Sequence, residues 1–505
     1  MFKQTLLLTF TICAAALSSI SQPAYAQLNE VKLTASDAVA GDNFGWFVSI
    51  SDDYAVVGAL LDDENGAGAG SAYVFKRSGA GWAQESHLLA SDGAIGDQFG
   101  RSVSISGDYV VVGARYNDHN GTDAGSAYVF KRADTSWAQE SQLLASDGAT
   151  GDFFGSSVSI SGDYVVVGAF QDGDNGIYSG SAYVFKRADT SWVQEAKLLP
   201  SDGGAIDGFG ISVSISGDYV VVGAWGDDDN GSKSGSVYVF KRAGSIWTQE
   251  AKLLPSDGAT DDWFGSSVSI SGDYAVVGAW GNDDNGSRSG SAYVFKRTDT
   301  SWAQEAKLLP SDGAIDYFFG FPVSISGDYA VLGASGDGSG SAYVFKRSGT
   351  SWVEELKLLA SDGAAGDWFG FSVSIFGDYV AVGAFADDDN GADGSGSIYL
   401  YTGFAAVVGV KNEEVGLAAE FTLSQNYPNP FNPETVIEYS LPEAGEVSLI
   451  VYNLRGEEVA HLINDNMPAG NHRISWNATN VSSGIYFYRL QAGDFVQTRK
   501  MVLLK

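Results

Sequence analysis

One dipeptide recurs at a spacing that leaves this chain few folds. Phe-Gly stands at Phe44-Gly45, Phe99-Gly100, Phe154-Gly155, Phe209-Gly210, Phe264-Gly265, Phe319-Gly320 and Phe369-Gly370, separated by 55 residues five times and then by 50. Each pair opens the same frame. Ser-Val-Ser-Ile or a close variant follows, then a turn ending in Asp-Tyr, a short apolar run closed by Gly-Ala, and an acidic Gly-rich stretch. Gly-Ser-Ala-Tyr-Val-Phe-Lys-Arg and, after a turn, a Trp with Glu-x-x-Leu-Leu complete the unit. Val103-Ser104-Ile105 alternates, while Tyr109 to Val112 and Ala127 to Phe130 are short β-rich runs, and Trp137 to Leu144 is a fourth. This periodicity is that of strands. Four short strands in 55 residues cannot bury their own face, so neighbouring units must supply the core.

Seven such units match a β-propeller, which has four to eight four-stranded blades around a channel. The ends of the array agree. A lone strand, Glu30 to Ala35, matches Glu140 to Ala145, whereas the last unit stops at Ile398-Tyr399-Leu400-Tyr401 with no Trp and Leu-Leu strand behind it. Closing the ring with residues 30–35 in the seventh blade removes both open edges. Phe99 to Ser106 is then the inner strand and Trp137 to Leu144 the outer one. Phe99 wedges between sheets and Gly100 permits close backbone approach.

The first 26 residues carry an early Lys3, an apolar run from Leu6 to Leu17 and Ala24-Tyr25-Ala26. This is the pattern of a secretory signal peptide cut after Ala26. The run is shorter than the ~20 residues that span a bilayer, and no later stretch is long and apolar enough, so no transmembrane segment is expected in the mature chain. Cys13, the single cysteine, would leave with the signal, which excludes thiol catalysis, disulfide scaffolds and thiolate metal sites. Sixty-two acidic residues against 29 basic ones give a formal charge of -33, which repels nucleic acid and anionic lipid as partners.

On the seven Phe-Gly pairs and on Val57-Gly58-Ala59 with its counterparts, residues 27–403 resemble the FG-GAP repeat family, which includes the seven-bladed propeller of integrin α-subunits. That resemblance implies calcium, held in integrins by a D-x-D-x-D-G loop. The candidate ligands here are Asp62, Asp63 and Asn65; Asn117, Asp118 and Asn120; Asp172, Asp174 and Asn175; Asp227, Asp229 and Asn230; Asn282, Asp284 and Asn285; and Asp387, Asp389 and Asn390. Alternate carboxylates and amides can converge on a calcium ion. The pattern departs from the integrin one in two ways. The stretch follows the Gly-Ala strand instead of preceding it, and Leu61, Tyr116, Gln171, Gly226, Gly281 or Ala386 stands where an oxygen ligand is wanted. Asn-Gly equally suits a positive-φ hairpin turn with solvated carboxylates. A second acidic loop leads into each Phe-Gly, such as Asp92 with Asp97 or Asp147 with Asp152. It either joins the first across a blade face or caps its own turns.

At the start of the variable loops stand Tyr116, Phe170, Trp225, Trp280 and Phe385. On one shared face they would form an aromatic and acidic ring suited to a sugar or an aromatic-rich protein; edge packing against the next blade is the other reading. His87, His119, Arg101, Tyr178 and Pro322 break the repeat, but no nucleophile, base and acid set stands out among them.

The pattern changes after Tyr401. A linker at 404–420 precedes Gln425-Asn426-Tyr427-Pro428-Asn429-Pro430-Phe431-Asn432-Pro433 and alternating segments at Val436 to Tyr439, Val447 to Tyr452, Val459 to Ile463, His472 to Trp476, Ile485 to Leu490 and Gln497 to Leu503. Such spacing predicts a small antiparallel, immunoglobulin-like β-sandwich. With Val451-Tyr452-Asn453-Leu454-Arg455-Gly456, Ser483-Gly484-Ile485-Tyr486 and Lys500-Met501-Val502-Leu503-Leu504-Lys505, residues 421–505 resemble the C-terminal sorting domain of type IX secretion. This implies secretion machinery as a partner and an outer-surface or secreted location in a Bacteroidetes-like bacterium. The expected function is a non-catalytic binding or adhesion propeller for a protein or glycan. A structural surface-layer role and a secreted hydrolase are the alternatives.

Overall fold

Each repeat forms one four-stranded antiparallel sheet whose strands run outward in chain order. In the second blade these are Phe99–Ser106, Tyr109–Ala114, Ser126–Ala133 and Ser136–Leu143. The computed structural model describes residues 28–403 apart from 80, 300 and 389–392, and residues 421–504 apart from 424, 425, 427, 428, 430, 443, 444, 468, 469, 480 and 494. The signal-peptide and linker segments, and the candidate ligands Asp389 and Asn390, lie outside them. Seven such sheets follow one another, and strands from all seven line a central cavity at their inner edge, with Phe47, Arg101, Ile211, Phe321 and Phe371 around it. The fourth strand of the seventh sheet is Asn29–Leu33. It pairs antiparallel with Ser397–Thr402, setting Val31 opposite Leu400, and so joins the two ends of the array.

The repeated motif works at the seams between blades. Phe99 is fully buried in a cluster with Tyr54, Val56, Val74 and Leu88 of the first blade and Val110, Val112 and Tyr128 of its own. Its ring meets Tyr128 edge-on at 5.5 Å. Gly100, at φ +90°, lies so close to the first blade that a Cβ would run into the Ser71 carbonyl; a side chain there meets both strain and a clash.

The second serine of Ser-Val-Ser-Ile links the inner strands. Ile105 N donates to Ser49 Oγ, Ile160 N to Ser104 Oγ, Ile215 N to Ser159 Oγ, Ile270 N to Ser214 Oγ, Ile325 N to Ser269 Oγ and Ile375 N to Ser324 Oγ. Ile50 N completes the circle on Ser374 Oγ at 3.1 Å. At the periphery Trp137 Nε1 donates to Glu85 Oε2 at 3.2 Å, and the same Trp–Glu bond recurs at Trp192, Trp247, Trp302 and Trp352. The recurring Trp and Glu of the repeat are therefore partners across a seam, not within one sheet.

The chain divides into two compact units at residues 409 and 410. In the second unit a three-stranded sheet (Thr422–Leu423, Glu434–Leu441 and Gly470–Asn477) and a four-stranded sheet (Glu458–Met467, Gly445–Tyr452, Gly484–Ala492 and Phe495–Leu503) share one core. That core contains Ile437, Trp476, Leu449, Tyr488 and Met501. The opening and closing motifs of this segment meet. Phe431 N donates to Val502 O and Leu504 N to Phe431 O, both at 2.9 Å, while Val502 N donates to Asn429 Oδ1 at 2.8 Å. Among the described residues no helix is long and apolar enough to cross a membrane.

Candidate functional site

The acidic loop leaves the second strand of each blade and lies beside the lead-in to the next Phe-Gly. Gly151 N donates to Thr122 O and Phe153 N to Asp123 O. The first acidic or amide residue of each loop turns inward: Asp62, Asn117, Asp172, Asp227, Asn282 and Asp387 are all buried. In the third blade Asp172 Oδ1 accepts from Asp174 N, and its Oδ2 accepts from the Tyr183 hydroxyl at 2.7 Å.

The same Oδ2 receives Lys197 Nζ at 2.9 Å, and that ammonium also holds Asp147 at 2.8 Å and Asp174 at 2.5 Å. Lys197 stands opposite Tyr183 on the outer strand, Ser191–Leu198. The arrangement repeats. Lys252 holds Asp202, Asp227 and Asp229; Lys307 holds Asp257 and Asp284; Lys357 holds Asp312 and Asp337; Lys32 holds Asp362 and Asp387.

The lead-in loop does both things its sequence allows. Its first aspartate, such as Asp147, joins the cluster. Its second, such as Asp152, caps its own turn by accepting from Ala149 N at 2.7 Å. Burial alone would push the Asp147, Asp202, Asp257, Asp312 and Asp362 carboxyls up. The bonds from lysine and tyrosine outweigh it and hold all five below the usual carboxylate range. Lys197, Lys252, Lys307 and Lys357 are raised, because bonds to the aspartates outweigh the burial that would pull them down. The capping aspartates Asp42, Asp97, Asp152, Asp207 and Asp262 are raised, first by burial.

The other candidate ligands serve the loop itself. Asp63 Oδ1 accepts from Gly68 N and Asp118 Oδ1 from Asp123 N, both at 2.8 Å. Asn65 and Asn120 donate side-chain N–H to the carbonyls of Ala90 and Ala145. The backbone N–H groups of Asn175, Asn230 and Asn285 donate to serines four residues on. Calcium wants six to eight oxygen ligands. In blades three to seven the converging carboxylates already hold a lysine nitrogen, and that donor set does not fit the ion. Sequence reasoning missed the lysine. Its signal was the repeated Lys-Leu-Leu ending the outer strand, 50 residues from the aspartate it meets.

Inside the acidic ring lies an aromatic one. Trp46 touches Phe385 at 4.7 Å, Phe385 touches Phe371 at 4.6 Å, and the series continues through Phe321, Trp280 and Trp263 to Trp225 with no step longer than 6.5 Å. Phe170, Phe153 and Tyr116 form a second arc. The residue directly after Gly113-Ala114 is Arg115; Tyr116 lies one place further on, and Arg115 stacks over it at 4.5 Å. Arg101 lies over Trp46 and Phe47 at 5.7 and 5.3 Å. Burial and then the neighbouring Arg115 charge push it down to about 9. The rings are half-buried, and the indole N–H groups of Trp46, Trp225 and Trp263 are buried with no hydrogen-bond partner. Thus Phe170, Trp225, Trp280, Phe385 and Tyr116 share one face, together with Trp46, Trp263, Phe321 and Phe371, which sequence reasoning missed. The last four flank Phe-Gly, where the residue type changes from unit to unit.

Seven four-stranded sheets around a cavity, with variable residues gathered at its mouth, define a β-propeller. The profile described as the FG-GAP repeat matches residues 28–75, 82–130, 137–185, 192–240, 247–295, 302–345 and 352–401, and the chain belongs to that family. The profile described as the secretion system C-terminal sorting domain matches residues 425–504; it marks a protein secreted to the cell surface in Bacteroidetes-type bacteria. The comparison with curated proteins gives no match. Among solved structures the chain is similar to a putative 6-phosphogluconolactonase from Bacteroides uniformis ATCC 8492, at 12% identity and a TM-score of 0.43, covering 84% of this chain and 100% of that one.

Proposed function

We propose that the propeller is a non-catalytic adhesion module that binds a surface or extracellular glycan on its aromatic face. The observation that carries this is the series of half-buried rings from Trp46 to Trp225. A sugar offers C–H faces for the rings and hydroxyls for polar groups beside them, a combination that amphipathic aromatics favour. Arg101 and Arg115 at the same mouth add two cations to an otherwise acidic surface. The sorting domain supports display of this face outside the cell. No nucleophile with an activating base accompanies the aromatic residues named here, so binding without turnover is the reading that this surface supports.

The test is a glycan array probed with the full chain, followed by titration of tryptophan fluorescence. Trp280→Ala is expected to weaken binding at least about fivefold, on the scale of the about 1–3 kcal/mol that a stacked base loses with its aromatic partner. Binding only to a protein partner, or unaltered binding by Trp280→Ala and Trp46→Ala alike, would overturn the glycan assignment. Bond cleavage in the bound glycan would overturn the non-catalytic one.

A further inference from the structure

The clusters between blades balance their charge in two different ways, and one blade does neither. Blades three to seven each place a lysine ammonium among the carboxylates. The second blade drops the lysine and the buried aspartate together. Gln142 replaces the lysine and donates to Asp92 at 3.0 Å, while Asn117 stands where the first, third, fourth and seventh blades have Asp62, Asp172, Asp227 and Asp387. The first blade keeps the aspartate and loses the lysine. Asp62 is 6% exposed and accepts from Ser71 Oγ and the Tyr73 hydroxyl, but His87 occupies the position of Lys197. The registers agree, with His87 opposite Tyr73 as Lys197 is opposite Tyr183.

The imidazole is held in place. It stacks on the Tyr73 ring at 4.3 Å with 9° between the planes, in the place where lysine Nζ lies over the tyrosine ring in other blades. Its Nδ1 faces Glu64 Oε2 at 3.1 Å and Asp37 Oδ2 at 3.4 Å. One ligand atom from each of Asp37, Glu64 and His87 lies within 4.8 Å of the others. Its Nε2 is buried without a hydrogen-bond partner, 4.0 Å from Asp62 Oδ2. Three carboxylates thus surround a position where two sister blades with three carboxylates place a fixed cation, and here a nitrogen donor replaces it.

We infer that the first blade is a divalent transition-metal site, with His87 Nδ1, Glu64 and Asp37 as ligands and Asp62 behind the imidazole. One imidazole with two carboxylates selects a zinc-class ion over calcium or magnesium, whose sites are built from oxygen. In blades three to seven the lysine is a tethered cation that makes a soluble ion unnecessary. The site is independent of the aromatic face and of what that face binds.

The test is calorimetric titration of the full chain with Zn²⁺ alone, repeated with excess Ca²⁺, and the visible spectrum with Co²⁺. The wild type is expected to bind one more Zn²⁺ than His87→Lys, which installs the arrangement of the third blade, and calcium should not displace it. His87→Gln, which places the second blade's outer-strand glutamine here, should lose the same equivalent, so the result does not depend on one variant folding. Thermal melts verify that each variant is folded. No Zn²⁺ bound by the wild type, or the same stoichiometry in the wild type and both folded variants, would overturn the assignment.

Discussion

Lys197 does more for this fold than its place on an outer strand suggests. Its ammonium pairs with Asp147 from the lead-in loop and Asp172 and Asp174 from the acidic loop, and it covers Asp172, whose side chain is 3% exposed. Removing one partner of a buried ion pair leaves the other charge uncompensated, typically at about 3–5 kcal/mol. Two of the carboxylates are half open to water, so Lys197→Met is expected near the lower end, about 3 kcal/mol, seen as a lower melting temperature. Adding Asp172→Asn to Lys197→Gln installs the uncharged residues of the second blade, Asn117 and Gln142. That double variant should melt above Lys197→Met, and a double variant no more stable would refute the charge-balance account. The aspartates were visible in sequence because they fall in a dense acidic run. The lysine was not, since a lone cation on an alternating strand reads as a solvated side chain.

At the scale of the strand, the decisive piece is the pairing of Asn29–Leu33 with Ser397–Thr402. It covers the edge of the seventh sheet and brings Lys32 to Asp362 and Asp387 across 330 residues or more. An uncovered edge offers a row of unpaired backbone groups to other chains. Deleting residues 29–33 should therefore lower the melting temperature and produce self-association on heating, read by light scattering. A deletion variant that melts like the parent as a monomer would show that the strand is dispensable. The strand boundaries were largely legible. The tail segments foreseen from alternation all fall within observed strands, and each of those is one to four residues longer at one or both ends. Turn residues at strand ends pair in the sheet even though they break the apolar alternation. The short Thr422–Leu423 strand was missed because two residues carry no period.

For the whole molecule, the repeated clusters make stability depend on pH in a defined way. Lys197, Lys252, Lys307 and Lys357 are raised above their ordinary value of 10.5. Their contribution is therefore present below about pH 10.5 and lost as pH rises through the folded value. Asp147, Asp202, Asp257, Asp312 and Asp362 are depressed below 3.8, so their contribution is present above that value and lost as pH falls further. The raised capping aspartates act in the opposite sense, because protonating them, which begins above the ordinary carboxylate value, relieves a cost of burial. Melting temperature against pH should be flat between pH 6 and 9, decline above 10.5, and hold on the acid side until below about 4. A decline already complete at pH 5 would contradict the depressed carboxylates.

The sequence by itself determined the number of blades, the strand pattern and the sorting tail, because repeat period, alternation and turn residues are local properties that survive without a fold. Only the tertiary structure decided what the blades do to one another. It set lysine against aspartate 50 residues away, joined the serines of the inner strands into a ring, and gathered rings from separate blades at one mouth. These contacts depend on which faces of different sheets meet, and a periodic sequence repeats the same local signal whether or not its partner is there. For that reason His87 looked like a stray substitution along the chain, and became a distinct chemical position once its blade was laid beside the others.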